Sequence, residues 1–302
     1  MVVFEQVFIL FFFGLVGYAL AKTGVVNAAH GKTLSVLLVN VFLPASVFNT
    51  FSSSFNVGYL SQNGPFLLVA LAANAVIVLI SILVGRLFSR EKYEQKIFEY
   101  TTVSPNFGYF GYALALALFG SNLEMMVFTM PTLVYVHTYG FAVLTKSKMN
   151  LRGLFNPVTV ALLVGALVGI LGFAPALPTV LTSITGNAAA CMGPVSMLLA
   201  GIVVSEYRLS DMFSDWRTYA ITAIRLLVLP LLGGLIFSTF ATPTQLGAVV
   251  LFLALPCGLN TVVFPKSVDE DCHLGASMAI VSNILACLTI PIVLAIFGIS
   301  VI

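Results

Sequence analysis

Ten blocks of apolar residues follow one another along the chain, separated by short polar connections. Each is long enough to cross a hydrocarbon core about 30 Å thick as a helix of roughly 20 residues. The blocks predict helices at 3–21, 33–51, 65–88, 97–119, 125–144, 157–173, 184–204, 218–240, 246–263 and 274–297. The connections at 120–124 and 241–245 are so short that the helices flanking each must be antiparallel neighbours. In the fourth and ninth blocks the apolar pattern is interrupted by Ser104-Pro105-Asn106-Phe107-Gly108-Tyr109-Phe110-Gly111 and by Leu255-Pro256-Cys257-Gly258-Leu259-Asn260. Pro105 and Pro256 lie 151 residues apart, while Pro44 of the second block and Pro194 of the seventh lie 150 apart. The shared offset predicts a duplicated chain with helix breaks or hinges at all four prolines. Interrupted apolar segments at matching places in two halves point to a binding site near the bilayer midplane.

Composition agrees with this pattern. The chain has 302 residues, of which 60% are hydrophobic and only 8% charged, with a mean hydropathy of +1.08. Soluble domains carry about 25% charged residues, so the expected class is an all-α polytopic membrane protein. A net charge of +2 without a basic face excludes a nucleic-acid binder. Cys191, Cys257, Cys272 and Cys287 have no metal-ligand spacing and read as reduced thiols. Neither a metal nor a cofactor is expected. Residues 1–6 contain Glu5 but no Lys or Arg, and so read as the start of the first helix rather than as a signal peptide.

Charge orients the helices. Lys22, Lys32, Arg86, Arg90, Lys92, Lys96, Lys146, Lys148, Arg152, Arg208, Arg217 and Lys266 all fall in connections or at helix ends on one side, and that is twelve of the thirteen basic residues. Basic residues accumulate on the cytoplasmic side, so both termini are expected to face outward. With five helices per half, the second half must enter the membrane inverted: 1–144 and 157–302 form the two repeats, joined by a cytoplasmic connection at 145–156. At 1.5 Å per residue, Pro105 lies roughly 12 Å and Pro256 roughly 15 Å into the bilayer, from opposite faces. The broken fourth and ninth helices are expected to cross there.

Proline removes an amide donor and glycine tolerates unusual dihedrals, so Pro105, Gly108, Pro256 and Gly258 predict unwound backbone. Unwound backbone in a membrane must be buried or line a polar cavity. A half-helix restarting near Asn106 or Cys257 would present its positive end to such a cavity, which suits an anion. Asn106 and Asn260 add neutral amides. Two kinks repaired by neighbouring helices are the plainer alternative. The acids are expected in loops or near helix ends, including Glu99 and the Asp269-Glu270-Asp271 run, which argues against a proton antiporter built on buried aspartates. The run reads as a solvated loop face or as a gate.

Three further polar residues fall inside blocks. Arg225 is either a counter-charge for an anion or a side chain that snorkels to the cytoplasmic surface. His137 is either a proton relay or a neutral bridge between helices, and Asn283 either faces the cavity or bridges helices. Gly165, Gly169 and Gly172 read as a close helix contact, and Asn156-Pro157 as a helix start.

These motifs resemble the auxin efflux carrier family, which includes the plant PIN carriers and bacterial malate and malonate permease-like proteins. The likeness spans the chain and rests on Val39-Asn40-Val41-Phe42-Leu43-Pro44-Ala45, Asn106-Phe107-Gly108-Tyr109-Phe110-Gly111 with Phe119-Gly120, and Asn156-Pro157. It continues through Pro194-Val195-Ser196-Met197-Leu198-Leu199-Ala200-Gly201, Arg225-Leu226-Leu227-Val228-Leu229-Pro230, Leu255-Pro256-Cys257-Gly258-Leu259-Asn260 and Thr289-Ile290-Pro291. The resemblance implies two inverted five-helix repeats with crossing fourth and ninth helices. It also implies a scaffold of the first, second, sixth and seventh helices, with the rest moving in an elevator-like way. The short connection at 145–156 is similar to the compact bacterial type.

The expected function is a secondary transporter in the cytoplasmic membrane, not an enzyme, that carries a small organic anion such as malate or malonate by alternating access. The expected substrate-binding residues are Pro105, Asn106, Phe107, Gly108, Pro256, Gly258, Asn260, Arg225 and Asn283. A coupling proton or Na+, the lipid bilayer and a second copy of the chain are the partners considered. The rival readings are a sodium-coupled symporter resembling the bile acid symporters and a sensor that binds without translocating.

Overall fold

Backbone amides and carbonyls in hydrocarbon have no water to bond, so apolar blocks of this length are driven into helices. In the computed structural model, which describes residues 2–208, 212–266, 268 and 270–301, helices dominate and one isolated β-bridge is the sole extended pairing among those residues. Asp211 and Asp269, expected in polar connections, lie outside the described residues.

In chain order the helices are α1 (Val2–Lys22), α2 (Ala28–Leu37), α3 (Leu43–Ser54), α4 (Val57–Phe88), α5 (Lys92–Val103), α6 (Tyr112–Phe119), α7 (Leu123–Tyr135) and α8 (Phe141–Leu144). There follow α9 (Pro157–Ile170), α10 (Thr179–Ser205), α11 (Trp216–Ala223), α12 (Leu229–Phe237), α13 (Pro243–Ala254), α14 (Asn260–Lys266) and α15 (His273–Ile296). Four π-turns, Leu38–Phe42, Phe107–Gly111, Val136–Gly140 and Ile224–Val228, join α2 to α3, lead into α6, join α7 to α8 and join α11 to α12.

Seven helical stretches are long and apolar enough to cross a membrane, by length and composition. They coincide with the first, second, third, fifth, seventh, eighth and tenth expected blocks. At the fourth, sixth and ninth the structure has shorter apolar helices, Phe107–Phe119, Pro157–Ile170 and Pro243–Ala254. In two of the three the cause is the break. α5 and α13 are both 12 residues long, and their last residues, Val103 and Ala254, keep the 151-residue offset of the prolines. Ser104 and Leu255, each preceding a proline, turn extended with ψ of 95° and 149°. The proline ring disfavours the helical region for the residue before it. α9 ends at Ile170, two residues before Gly172, whose φ is +71°.

Pro44 and Pro194 break nothing, contrary to expectation. α10 runs through Pro194 over 27 residues, and Pro44 lies in the first turn of α3, directly after a π-turn, within one helical stretch Ala29–Ser54. The i→i+5 bonding of the π-turn re-registers the carbonyls, so the missing proline amide is not needed there.

Two packed groups result. α10 packs on α1, α2 and α3, and α3 packs on α9. Small residues allow this: a Cβ at Gly165 would lie 2.9 Å from the Phe48 carbonyl oxygen, and one at Gly169 2.6 Å from that of Phe51. Gly172, by contrast, has open space around it and serves as a helix terminator. The second group holds α4 against α5 and α7, α12 against α13, and α13 against α7 and α15. Asn156 caps α9, accepting from the Val158 and Thr159 amides at 2.9 and 3.0 Å, with Pro157 following as the sequence predicts.

Candidate functional site

Each proline break leaves backbone groups that a helix would have bonded, and the two breaks satisfy each other. Pro105 pairs with Cys257 in the antiparallel bridge, and the Asn106 amide donates to the Pro256 carbonyl at 2.8 Å. The Cys257 amide donates to Ser282 Oγ of α15 at 2.9 Å. The crossing is tight. A Cβ at Gly258 would lie 2.8 Å from the Ser104 carbonyl oxygen and 3.2 Å from that of Pro105, whereas one at Gly108 would meet only the Leu43 side chain at 3.6 Å. Neither Gly108 nor Gly258 has a positive φ. Gly258 is needed for space, so the dihedral argument made for both glycines does not hold.

A second consequence of the breaks falls on Arg225. The Phe252 carbonyl would be bonded in a continuous helix by residue 256, a proline without a donor, and the Thr102 carbonyl by the Asn106 amide, which is diverted to Pro256. Arg225 takes both, with Nη2 donating to Phe252 at 2.8 Å and Nη1 to Thr102 at 3.1 Å, and its guanidinium lies 5.4 Å from the centroid of the Phe252 ring. Its relative exposure is 0%. It therefore does not snorkel, and it joins the carbonyl ends of α5 and α13 rather than lining the cavity described next.

Beside the crossing lies a cavity of about 80 Å³, lined on its polar side by Asn106, His137 and Asn260 with Pro105, Gly108 and Gly258. Phe107, Leu133, Val136, Leu259 and Phe264 form apolar walls, and Val39, Leu43 and Val158 close it from the α2–α3 and α9 side. Asn260 donates to the Tyr100 hydroxyl at 3.0 Å. Asn106 is 2% exposed, and neither its amide oxygen nor its amide nitrogen has a partner among the described residues. Other buried asparagines are used in full. Asn74 donates to the Ala70 and Phe128 carbonyls at 2.8 and 3.0 Å and accepts from Thr132, while Asn122 accepts from Thr50 and donates to the Tyr112 carbonyl. An orphaned buried polar group costs about 1–3 kcal/mol. Asn106 presents both of its amide atoms without a protein partner among the described residues, at the wall of a cavity.

Among the described residues no carboxylate lines the cavity. Glu99 is more interior than its place near a helix end suggested, at 4% exposure, but it is bound to Lys96 at 2.7 Å. Among the described residues no group of three or more His, Cys, Asp or Glu side chains could hold a metal ion, and all four cysteines are free. A larger cavity of about 480 Å³, lined by Glu124, Pro243 and Phe297 among others, lies away from the crossing and holds none of the sequence-predicted residues.

Of those residues, Pro105, Asn106, Phe107, Gly108, Gly258, Asn260 and His137 meet at the cavity. Pro256 contributes its carbonyl to the crossing instead. Asn283 donates to the Ala279 carbonyl of its own helix at 2.7 Å and lines an apolar pocket between α1, α10 and α15. The expected positive helix end exists on one side only. The segment Phe107–Phe119 restarts after the first break, whereas α14 is seven residues long and begins at Asn260. Tyr100, Ser282 and Gly111 were not singled out by the sequence reading. Ser282 adjoins the chosen Asn283, and Gly111 sits where a Cβ would strike Leu255 and Met125 at the crossing.

A helical chain with seven stretches fit to cross a membrane among its described residues, and with broken helices paired beside a cavity that has one polar wall, is a polytopic membrane protein of the transporter class. The sequence matches the profile of the membrane transport protein family over residues 2–145 and 141–294, and the chain belongs to this family, the auxin efflux carrier family. It is also similar to an uncharacterized transporter of Methanothermobacter thermautotrophicus, with 22% identity over 290 residues that cover 92% of this chain and 93% of the relative.

Proposed function

We propose that the chain is a permease that moves a small organic anion across the cytoplasmic membrane by alternating access, with malate and malonate as the first candidates. The observation that carries this reading is the Asn106 amide, buried and unpartnered on both atoms at the cavity wall. A carboxylate accepts from its nitrogen, and the start of the Phe107–Phe119 segment adds the positive end of a helix. The absence of a carboxylate from the lining favours an anion over a cation. At about 80 Å³ the cavity is smaller than the 300 Å³ or more of typical ligand sites. The proposal therefore requires the site to widen when it opens to either side.

The transport cycle follows from the two packed groups. α1, α2, α3, α9 and α10 form the scaffold, the remaining helices carry the crossing, and the cavity lies at their boundary. The two halves, 1–144 and 157–302, are read as inverted repeats of five membrane helices each. Support comes from the common offset of the breaks and from the equal 12-residue lengths of α5 and α13. The one-sided distribution of the basic residues supports a reading with both termini outside.

Uptake of labelled malate and malonate into liposomes carrying the purified protein tests the proposal. Saturable uptake is expected, reduced tenfold or more in Asn106→Ala, because one hydrogen bond to a charged group is worth about 1.5–3 kcal/mol and 1.4 kcal/mol is a factor of ten. Undiminished uptake by folded Asn106→Ala would remove the site assignment, and no uptake by the wild type would remove the anion.

A further inference from the structure

Resting on the organic-anion reading, one question is what balances the charge of the anion inside the cavity. Amides stabilise a carboxylate without neutralising it, and an ion taken out of water without a counter-charge costs several kcal/mol. Arg225 is committed to the Thr102 and Phe252 carbonyls and is not in the lining. Lys96 is bound to Glu99. Of the described residues that line the cavity, His137 alone can take a positive charge, the tyrosine there, Tyr109, having none to gain.

Several features place and isolate it. His137 sits in the π-turn Val136–Gly140, where one extra residue per turn rotates the side chain relative to a regular helix. The backbone of Gly153 packs so closely on the His137 carbonyl that a Cβ there would collide with it, which holds the turn in place. Neither ring nitrogen makes a hydrogen bond among the described residues, and neither is an occluded orphan. The titratable groups on the surrounding elements are Tyr135 and Tyr139 on the same helix and turn, Tyr109 on the cavity wall, Arg152 in the exposed 151–154 turn, and Lys92, Tyr93, Glu94, Lys96, Glu99 and Tyr100 on α5. Lys96 lies 5.7 Å from the centroid of the Tyr139 ring and is paired with Glu99, while Tyr100 is engaged by Asn260. Among the described residues no carboxylate pairs with the imidazole.

We propose that His137 is the proton-binding residue of this site, taking up one proton when the anion enters the cavity, so that the anion and the proton cross the membrane together. An imidazolium alone in an enclosed cavity is as costly as the carboxylate alone, and each removes the cost of the other. Binding of the two is therefore cooperative, and by linkage the cooperativity is the same in either order.

The first test is calorimetry of malonate binding to the detergent-solubilised wild type in two buffers of different ionisation enthalpy. Uptake of about one proton per malonate is expected, and binding without proton uptake overturns the proposal. The second uses proteoliposomes with the membrane potential clamped for one negative charge carried per malonate taken up with its proton. An exterior more acid by one pH unit should raise malonate accumulation about tenfold, since one unit corresponds to 1.36 kcal/mol. In His137→Gln, malonate affinity should fall at least tenfold and accumulation should no longer respond to the pH difference. A response equal to that of the wild type overturns the assignment to His137. If malonate neither binds nor enters through the wild type, while the protein remains folded, the anion reading fails and takes this inference with it. That result differs from binding without a proton.

Discussion

Gly258 and Gly108 look alike in the sequence, each a glycine two or three residues after a break proline, yet the structure predicts opposite outcomes for their replacement by alanine. A Cβ at position 258 would lie 2.8 Å from the Ser104 carbonyl oxygen, with the Pro105 carbonyl oxygen and carbon at 3.2 and 3.3 Å. These are backbone atoms and cannot rotate away. Relief requires the two breaks to separate by several tenths of an ångström at the point where the Asn106 amide bonds Pro256. Overpacking of this kind costs about 1–3 kcal/mol, or a melting midpoint lower by about 2–12 °C on the scaling for chains of 150–250 residues. At position 108 the new methyl would meet one Leu43 methyl at 3.6 Å, an ordinary contact. Replacing glycine there, with φ already in the common region, stabilises by up to about 1 kcal/mol through the unfolded chain. Thermal denaturation of the two variants in detergent, followed by tryptophan fluorescence or size exclusion, measures the difference. A Gly258→Ala midpoint within a degree of the wild type, or a larger loss in Gly108→Ala, would refute the account of the crossing.

Two further outcomes follow from the charged groups. Arg225→Met keeps the volume but orphans the buried Thr102 carbonyl, at about 1–3 kcal/mol, and leaves the Phe252 carbonyl with only the long 3.4 Å bond from the Leu255 amide, partly offset by removal of a buried cation. The variant should melt clearly below the wild type, and Arg225→Lys should restore only part of the loss, because a single ammonium does not span both helix ends as the guanidinium fork does. Equal stability of Arg225→Met and wild type would show that the clamp is idle. At the ends of α5 and α11, Arg217 binds Glu94 and Asp215, each at 2.7 Å. The hydrogen bond from Arg217 holds the Glu94 carboxyl below its ordinary value of 4.5. A lowered folded-state value stabilises above the ordinary one and is lost as the pH falls through the folded one. The gap in melting midpoint between wild type and Glu94→Gln should thus be widest near neutral pH and close below about pH 4.5, and a gap unchanged by pH would show that the pair contributes nothing.

Much of the architecture is legible in residue order. The apolar blocks dictate helices, since hydrocarbon offers no other way to satisfy the backbone, and the prolines at 105 and 256 dictate breaks, since neither supplies an amide. The same rule failed at Pro44 and Pro194. There the outcome depends on whether neighbouring carbonyls find other donors, and a π-turn or a packed continuous helix supplies that locally. Asn106 and Asn260 could be named in advance because each sits at a proline break inside an apolar block. That Asn106 is the unpartnered one, while Asn74 is fully bonded, depends on which carbonyls and hydroxyls the neighbouring helices bring to it.

By itself, then, the chain's order of apolar and polar residues determined a helical membrane protein with two matched interruptions, because helix length, helix breaking and the cost of bare backbone in lipid are local properties. Only the tertiary structure decided the rest. It turned Arg225 from a counter-charge into a clamp across two helix ends, assigned Ser282 rather than Asn283 to the second break, and required a glycine at 258 for space rather than for its dihedrals. Each is a matter of distance between residues remote in sequence, within a packed interior where a few tenths of an ångström separate a hydrogen bond from a clash.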